Sequence, residues 1–537
     1  MMNGAEILIK ALEKNGVEYI FGVPGDTHGK KAVSETFIFR ELRKSKKITF
    51  IRTTHEQNAG YMADLYGRMS GKAGVCYTTL GPGATNISTS IATANLDRSP
   101  VVCLSAQLPQ SMWHKDAHQY IDMSAEFKHK TKRSLRIDNI EEIPTIIDYA
   151  FQKAVEERPG PVHVELLVDV FEEEIDKMPL RVEGVREKLP LPKVDLFLKE
   201  LKKATFPLLL VGASVARQSA SRELLHFMEK YRIYALSSFH GKGIIPPDHP
   251  LYLGVMSRHL QTTTEILKEV DVLINIGYDY SEGITPKVWS QGEVPKVINI
   301  DTDSKTGGKF YNPDMEIICN LKEFFAVLNS GESVREKFPE RKIQRFGINQ
   351  LKFSTNTYPI NPLAFVKKLS TILGKDDIII VDVGEHKQVM GLFYEAPLPK
   401  SVVFSNGQST LGYAMPGGIG AKLALPNKNV IVVVGDGGFQ MTSSEFITAV
   451  EHKIPIKVLI LNDNAYGIIK YEQEKAFGGN YGVEYKNPDF VKLAEAYGGL
   501  GLRVTPETGL LPTLRRALKS RKPTIVDIPI TYRNKLW

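Results

Sequence analysis

Short unbroken apolar runs recur along this chain, each ending in a glycine-rich or polar turn and followed by a stretch with helical spacing. They are Tyr19 to Val23, Val75 to Thr79, Pro100 to Ala106, Pro207 to Val211, Val272 to Ile276, Ile378 to Val383, Val430 to Val434 and Lys457 to Leu461. Runs without alternation, rich in β-branched residues, are expected of strands buried on both faces. Strands that alternate with helices predict an α/β chain built of doubly wound parallel sheets, with any site at the carboxyl ends of the strands. Two charged, Pro-rich stretches, Glu172 to Asp195 and about Asn329 to Pro362, read as linkers. They divide the chain into three domains, 1–175, 190–328 and 355–537, close to the three or four that about 150 residues per domain suggests for 537 residues.

The most informative stretch runs from Asn429 to Gly467. A buried strand ends in Gly435-Asp436-Gly437-Gly438, where the backbone can turn sharply and approach a ligand. Thr442 and Glu445 have capping-box spacing ahead of a helix with Phe446, Ala449 and Val450 on one face, which Pro455 stops. The strand Lys457 to Leu461 then delivers Asn462-Asp463-Asn464. One strand–helix–strand crossover makes the two strands parallel and puts Asp436 and Asp463 at carboxyl ends. Two such carboxylates beside glycine backbone and a helix N-terminus suit Mg²⁺ bound to phosphates. A turn Asp and a strand-end Asn-Asp would each be ordinary alone; the pair at this spacing is not.

Composition narrows the class. Hydrophobic residues make up 42% and charged residues 24%, as in soluble globular proteins. A net charge of +7 is small for this length, and the densest basic run, Arg40 to Lys47, lacks aromatic residues, which argues against nucleic acid. No apolar run reaches the roughly 20 residues of a membrane span. The start of the chain reads as an amphipathic helix, Ala5 to Asn15, rather than a signal peptide. Cys76, Cys103 and Cys319 are far apart in sequence, without a CxxC, and point to a reducing compartment, the cytoplasm by default.

GDG followed by a helix and a strand ending in Asn-Asp resembles the signature of thiamine diphosphate enzymes, and the segment from His55 to Val75 resembles their cofactor-activating segment. The resemblance spans the chain in the family's order: aminopyrimidine-binding, central and diphosphate-binding domains. It implies Mg²⁺ on Asp436, Asp463 and the main-chain oxygen of Ala465, with Asp463 standing where many members have Asn. The diphosphate would rest on Gly435, Gly437 and Gly438, and on Gly384, Glu385 and His386. Gly407 would border the cofactor, and Leu411 would wedge beneath it and bend it. Glu56, an unremarkable strand-end acid by itself, would share a proton with the aminopyrimidine ring, a role that needs a carboxyl shielded from water. Gly25 and Gln119 would line the reacting groups.

Within the family, the run from Asp271 to Trp289 looks most like the catabolic, flavin-independent acetolactate synthases. FAD is therefore not expected, and GxGxxG is absent from the central domain. The implied reaction decarboxylates pyruvate and joins its two-carbon unit to a second 2-keto acid, giving 2-acetolactate. A homodimer or homotetramer with active sites shared between subunits is implied, while the sequence is silent on a regulatory subunit. A 2-keto acid decarboxylase, a flavin oxidase of the pyruvate oxidase type and a non-catalytic binding homologue are the alternatives. The decarboxylases often use adjacent histidines, which this chain lacks; an oxidase would need FAD; a degenerate homologue would not be expected to keep Glu56, Asp436 and Asp463. The segment after Gly25 is longer and more basic than these synthases carry, and His28, Lys30 and Lys31 are its candidates for the substrate carboxylate.

Overall fold

A computed structural model of the chain describes residues 1–25, 35–180, 189–192, 194–257, 260–283, 295–304, 312–333, 336–343, 345 and 347–532. His28, Lys30, Lys31 and Trp289 lie outside the described residues.

Three six-stranded sheets, every neighbouring pair parallel, follow one another along the chain. The first holds β1 (Tyr19–Gly22), β2 (Thr49–Arg52), β3 (Gly74–Thr78), β4 (Val101–Gln107), β5 (Arg133–Ile137) and β6 (Pro161–Leu167). The second holds β7 (Pro207–Val211), β8 (Tyr234–Ser237), β9 (Tyr252–Val255), β10 (Val272–Ile276), β11 (Lys296–Asp301) and β12 (Met315–Ile318). The third holds β13 (Ile378–Val381), β14 (Val402–Phe404), β15 (Val430–Gly435), β16 (Lys457–Asn462), β17 (Leu500–Arg503) and β18 (Thr524–Pro529). The spatial orders are β2-β1-β3-β4-β6-β5, β9-β8-β7-β10-β11-β12 and β14-β13-β15-β16-β18-β17. The first and third sheets are thus wound alike, whereas the central one has the order of dinucleotide-binding folds.

The apolar runs do what their composition predicts. In β15, Val430, Val432 and Val434 enter one core, and Ile431 and Val433 enter another on the opposite face. That first core is shared. Helix α1 (Glu56–Ser70) packs on helix α2 (Ala414–Ala424), which joins the first domain to the third. The close approach depends on small residues: a Cβ on Gly417 would lie 3.0 Å from Leu65, and one on Gly420 would collide with the Met62 carbonyl. Tyr61 and Tyr413 meet edge to face at 5.8 Å.

Three local expectations are corrected. The helix after the Gly435 turn begins at Asp436, not after Thr442, and runs to Thr442 before a 3-10 turn and a second short helix, Phe446–Glu451. Thr442 forms no capping box because its hydroxyl donates to the Gly412 carbonyl, and Glu445 reaches Thr54 and Asn58 of the first domain instead. The helix expected over Tyr120 to Lys128 is only Met123–Phe127, started by Asp122, whose side chain accepts from the Ala125 N–H. Cys76 and Cys103, distant in sequence, are register partners on β3 and β4, buried as free thiols.

Candidate active site

In the third sheet the winding reverses between β13 and β15, and a crevice opens at their carboxyl ends. After β13 comes Gly384, at φ 145°, a conformation that side chains rarely adopt. It starts the helix Glu385–Phe393. The His386 ring fills the space where a Cβ on Gly435 would lie 3.2 Å away, so the two turns face each other across the imidazole. Burial holds His386 neutral, its pKa lowered to about 3, and among the described residues its Nε2 has no hydrogen-bond partner. It is a buried donor or acceptor between the Gly384 and Gly435 turns. Gly437 is walled by aromatic side chains, for a Cβ there would lie 2.5 Å from the Tyr485 hydroxyl and 2.6 Å from the Tyr466 ring.

Negative charge collects on the β16 side of the crevice. Asp436 is buried, Asp463 is half-buried after β16, and the carboxylates of Asp463 and Glu385 both border Gly467, where a Cβ would lie 2.8 and 3.0 Å from them. Burial, and then the charges of Asp436 and Glu385, push Asp463 up to about 7. Burial raises Asp436 as well. A pocket that raises its own carboxylates is short of positive charge, and a divalent cation relieves that directly. Among the described residues no three His, Cys, Asp or Glu side chains are grouped to hold a metal by themselves. Two carboxylates and the main-chain oxygen of the buried Ala465 therefore suit a cation that takes further oxygens from a phosphate ligand.

The remaining expected residues are placed unevenly. Leu411 is half-buried in the loop between β14 and α2, but the Gly407 N–H is already given to Asp97 at 2.8 Å, which makes Gly407 a domain contact. In the first domain Glu56 opens α1, half-buried, and accepts from Asn86 at 3.0 Å. Its shielding from water is incomplete in one chain. Gln119, at φ 60°, lays its backbone against Gly81 at the end of β3. A Cβ on Gly25 would run into the carboxylate of Glu35, and Glu35 accepts hydrogen bonds from Tyr77 and Thr79. Among the described residues no hydrogen bond or ion pair joins Glu56 to the Gly435–Gly438 turn.

Sequence reasoning passed over Asp382, Tyr485 and Asn487. Asp382 is buried at the end of β13 and accepts from the N–H groups of Val383, Gly412 and Ala414, so it fixes the chain immediately after Leu411. Burial still lifts it to about 6. Its position immediately before the Val383-Gly384 turn was the available signal. Tyr485 and Asn487 lie well past the Asn-Asp motif, and nothing local marks them. A cavity of about 180 Å³ at the three-domain junction holds Arg68, Arg98, Arg217 and Lys400 at the far end of α1. Three of these cations pair there, Arg98 with Asp279 at 2.8 Å, Arg217 with Glu157 at 2.6 Å and Arg68 with Asp97 at 3.8 Å. It reads as an ion network that locks the domains.

The residues therefore fit the group that the glycine turns suggest: backbone and His386 for a diphosphate, and Asp436, Asp463 and Ala465 for its cation. Comparison with known proteins agrees over nearly the whole length. Three family models match, described as the thiamine pyrophosphate enzyme N-terminal TPP binding domain over residues 2–126, central domain over 194–328 and C-terminal TPP binding domain over 382–528. A probable acetolactate synthase large subunit of Methanocaldococcus jannaschii is 36% identical over 98% of this chain and 92% of its own. The acetolactate synthase isozyme 3 large subunit of Escherichia coli is 31% identical over 99% and 95%. The acetolactate synthase of Bacillus subtilis is 29% identical over 99% and 94%.

Proposed function

The chain belongs to the thiamine pyrophosphate enzymes, among their acetolactate synthase-like members, and from that premise we propose that it condenses two 2-keto acids. Two pyruvate anions and a proton become 2-acetolactate and carbon dioxide. The observation that carries this reading is the acidic, glycine-walled crevice of Asp436, Asp463 and Gly437, in a chain alike over its whole length to proteins named for that reaction.

Bound thiamine diphosphate would supply the nucleophilic carbon and the electron sink. Asp436, Asp463 and the Ala465 carbonyl would hold Mg²⁺; the Gly437 and Gly438 backbone and His386 would hold the diphosphate. Leu411, braced through Asp382, would press beneath the cofactor. Glu56 would keep a proton on the aminopyrimidine ring, and Gly25 and Gln119 would border the keto acids. The domain limits we propose remain 1–175, 190–328 and 355–537. A homo-oligomer that shares its sites is supported by the half-exposed Glu56 and by the helix Gly467–Phe477, which has no buried residue in one chain yet carries the exposed Ile469 and Phe477. A small regulatory partner is supported by the large-subunit names of the relatives. The three free cysteines favour the cytoplasm, and among the described residues no helix is long and apolar enough to cross a membrane.

A flavin-independent reaction is supported by the central crevice. In dinucleotide folds the first strand–helix turn receives a ligand phosphate. Here the Glu282 carboxylate takes that place, accepting from the Ala213 N–H at 3.1 Å, from the Ser238 hydroxyl and from the Asp279 N–H at 3.2 Å. Arg158 adds ion pairs to Asp279 and Asp301, each at 3.3 Å.

The test is incubation of the purified protein with pyruvate, thiamine diphosphate and Mg²⁺, with acetolactate and acetaldehyde both quantified, alongside Glu56→Gln. Acetolactate from the parent and at least a hundredfold less from the variant is expected. Acetaldehyde as the main product would overturn the carboligase reading in favour of a decarboxylase.

A further inference from the structure

After the helix Gly467–Phe477 the chain turns back and lies against its own start. The Tyr466 N–H donates to the Val483 carbonyl at 2.9 Å, the Tyr485 N–H donates to the Asn464 carbonyl at 3.0 Å, and Ala465 and Glu484 form an antiparallel bridge. This return arm, 478–487, ends with the Asn487 side chain inside the acidic crevice. Its Nδ2 donates to Asp436 Oδ2 at 2.5 Å, to Asn462 Oδ1 at 2.9 Å and to Asn464 Oδ1 at 3.2 Å. Its Oδ1 accepts from Gln440 Nε2 at 2.5 Å. One amide therefore links the first turn of the helix Asp436–Thr442 to the end of β16.

We propose that Asn487 is a positioning residue for the cation: it fixes which oxygen of Asp436 faces the metal, and it ties the return arm down over the crevice. The Asn464 N–H also donates to Asp436 Oδ2, at 2.9 Å. Both donors use the same oxygen and leave Oδ1 as the one they do not engage. A carboxylate that is free to rotate would pay conformational entropy on each cation it bound; one held by two donors is preorganised. The residue type matters, because a side-chain amide donates to the carboxylate and accepts from Gln440 at once, which an aliphatic, ammonium or ionised carboxylate side chain could not. Helix capping does not explain it, since Asp489 caps the next helix through the Val491 and Lys492 N–H groups. The same arm brings the Tyr485 hydroxyl over Gly437, 2.5 Å from where a Cβ would lie.

This inference rests on Asp436 as a cation ligand, so the experiment measures cation binding directly. Mn²⁺ binding in the presence of thiamine diphosphate is followed by the loss of the free-ion paramagnetic resonance signal for the parent, Asp436→Ala, Asn487→Ala and Gln440→Leu. Hydrogen exchange of 478–487 is measured in the cofactor-free proteins. Asn487→Ala should raise the Mn²⁺ Kd at least about tenfold, speed exchange of the arm, and leave kcat at saturating cation within about threefold of the parent. Gln440 is exposed, so Gln440→Leu keeps the fold and should raise the Kd about threefold to fivefold. An unchanged Kd in both variants, or a lowered kcat at an unchanged Kd, overturns the proposal. A parent whose Mn²⁺ Kd is insensitive to Asp436→Ala overturns the underlying assignment as well.

Discussion

Asp64 lies midway along α1, fully buried, with Arg68, Asp97 and Ser99 as its polar surroundings. Burial, and Asp97 to a lesser degree, outweigh Arg68 and push its carboxyl up to about 7 from 3.8. Below pH 4 Asp64 is protonated in both the folded and the unfolded chain. Between about 4 and 7 the unfolded chain gives up this proton while the folded chain keeps it, so stability falls with each pH unit. The loss is complete once the folded carboxyl has ionised, and amounts to about 4 kcal/mol in all. Asp64→Asn holds the same volume and has no proton to lose. Relative to the parent, the variant should therefore gain stability as pH rises, with the difference growing between pH 5 and pH 8 and flat above. The assay is the thermal midpoint of the cofactor-free protein at pH 5, 6, 7 and 8. The parent's other raised carboxyls, Asp382 and Glu282, are common to both proteins and cancel in the difference. A difference that stays constant across this range would refute the reasoning, because it would mean that Arg68 keeps Asp64 ionised throughout.

Gly437→Ala puts a methyl group against the Tyr485 hydroxyl and the Tyr466 ring. The strain, about 1–3 kcal/mol, is present without cofactor and should lower the unfolding midpoint of the cofactor-free protein, and displacing the Tyr466 and Tyr485 rings from the turn should also weaken thiamine diphosphate binding, measured by calorimetry. Gly420→Ala drives a methyl group into the Met62 carbonyl, away from the crevice, and should cost a similar amount in stability with no separate effect on cofactor binding, measured as a lower unfolding midpoint.

The sheets were legible because parallel strands buried on both faces leave an uninterrupted apolar signal, which is why β7 and β10 fall where the runs predict them. Edge strands were not: β5 carries Arg133 and Arg136 on a half-exposed surface and β14 is only Val402–Phe404, so neither stands out from a loop. Asp436 and Asp463 were readable because the crossover fixes where a strand-end residue must go. Asn487 was not, because its partners are reached only after an eleven-residue helix and a return arm. Thr442 and Glu445 show the opposite failure. Their spacing satisfies a local rule, but Gly412 and Asn58, distant in sequence, claimed both side chains.

The like winding of the first and third sheets gives each chain two switch-point crevices, and their chemistry differs. In the first, Glu35 is already satisfied by Tyr77 and Thr79. In the third, Asp436, Asp463 and Glu385 gather charge that calls for a cation and an anionic ligand. The α1–α2 contact and the bonds from Glu445 to Thr54 and Asn58 hold the two domains of one chain together, while no hydrogen bond or ion pair among the described residues joins Glu56 to the third crevice. A twofold partner would let Glu56 of one chain serve the Asp436 crevice of another. That arrangement makes a quantitative prediction for two individually inactive variants, Glu56→Gln and Asp436→Ala, co-expressed with distinct tags. In a mixed dimer one site carries both lesions and the other carries neither. Random pairing makes half of the dimers mixed, so about a quarter of the parental activity should return, and purification through both tags should raise it to about half. If each site is built from a single chain, every site keeps a lesion, and the mixed dimer is as inactive as its parents.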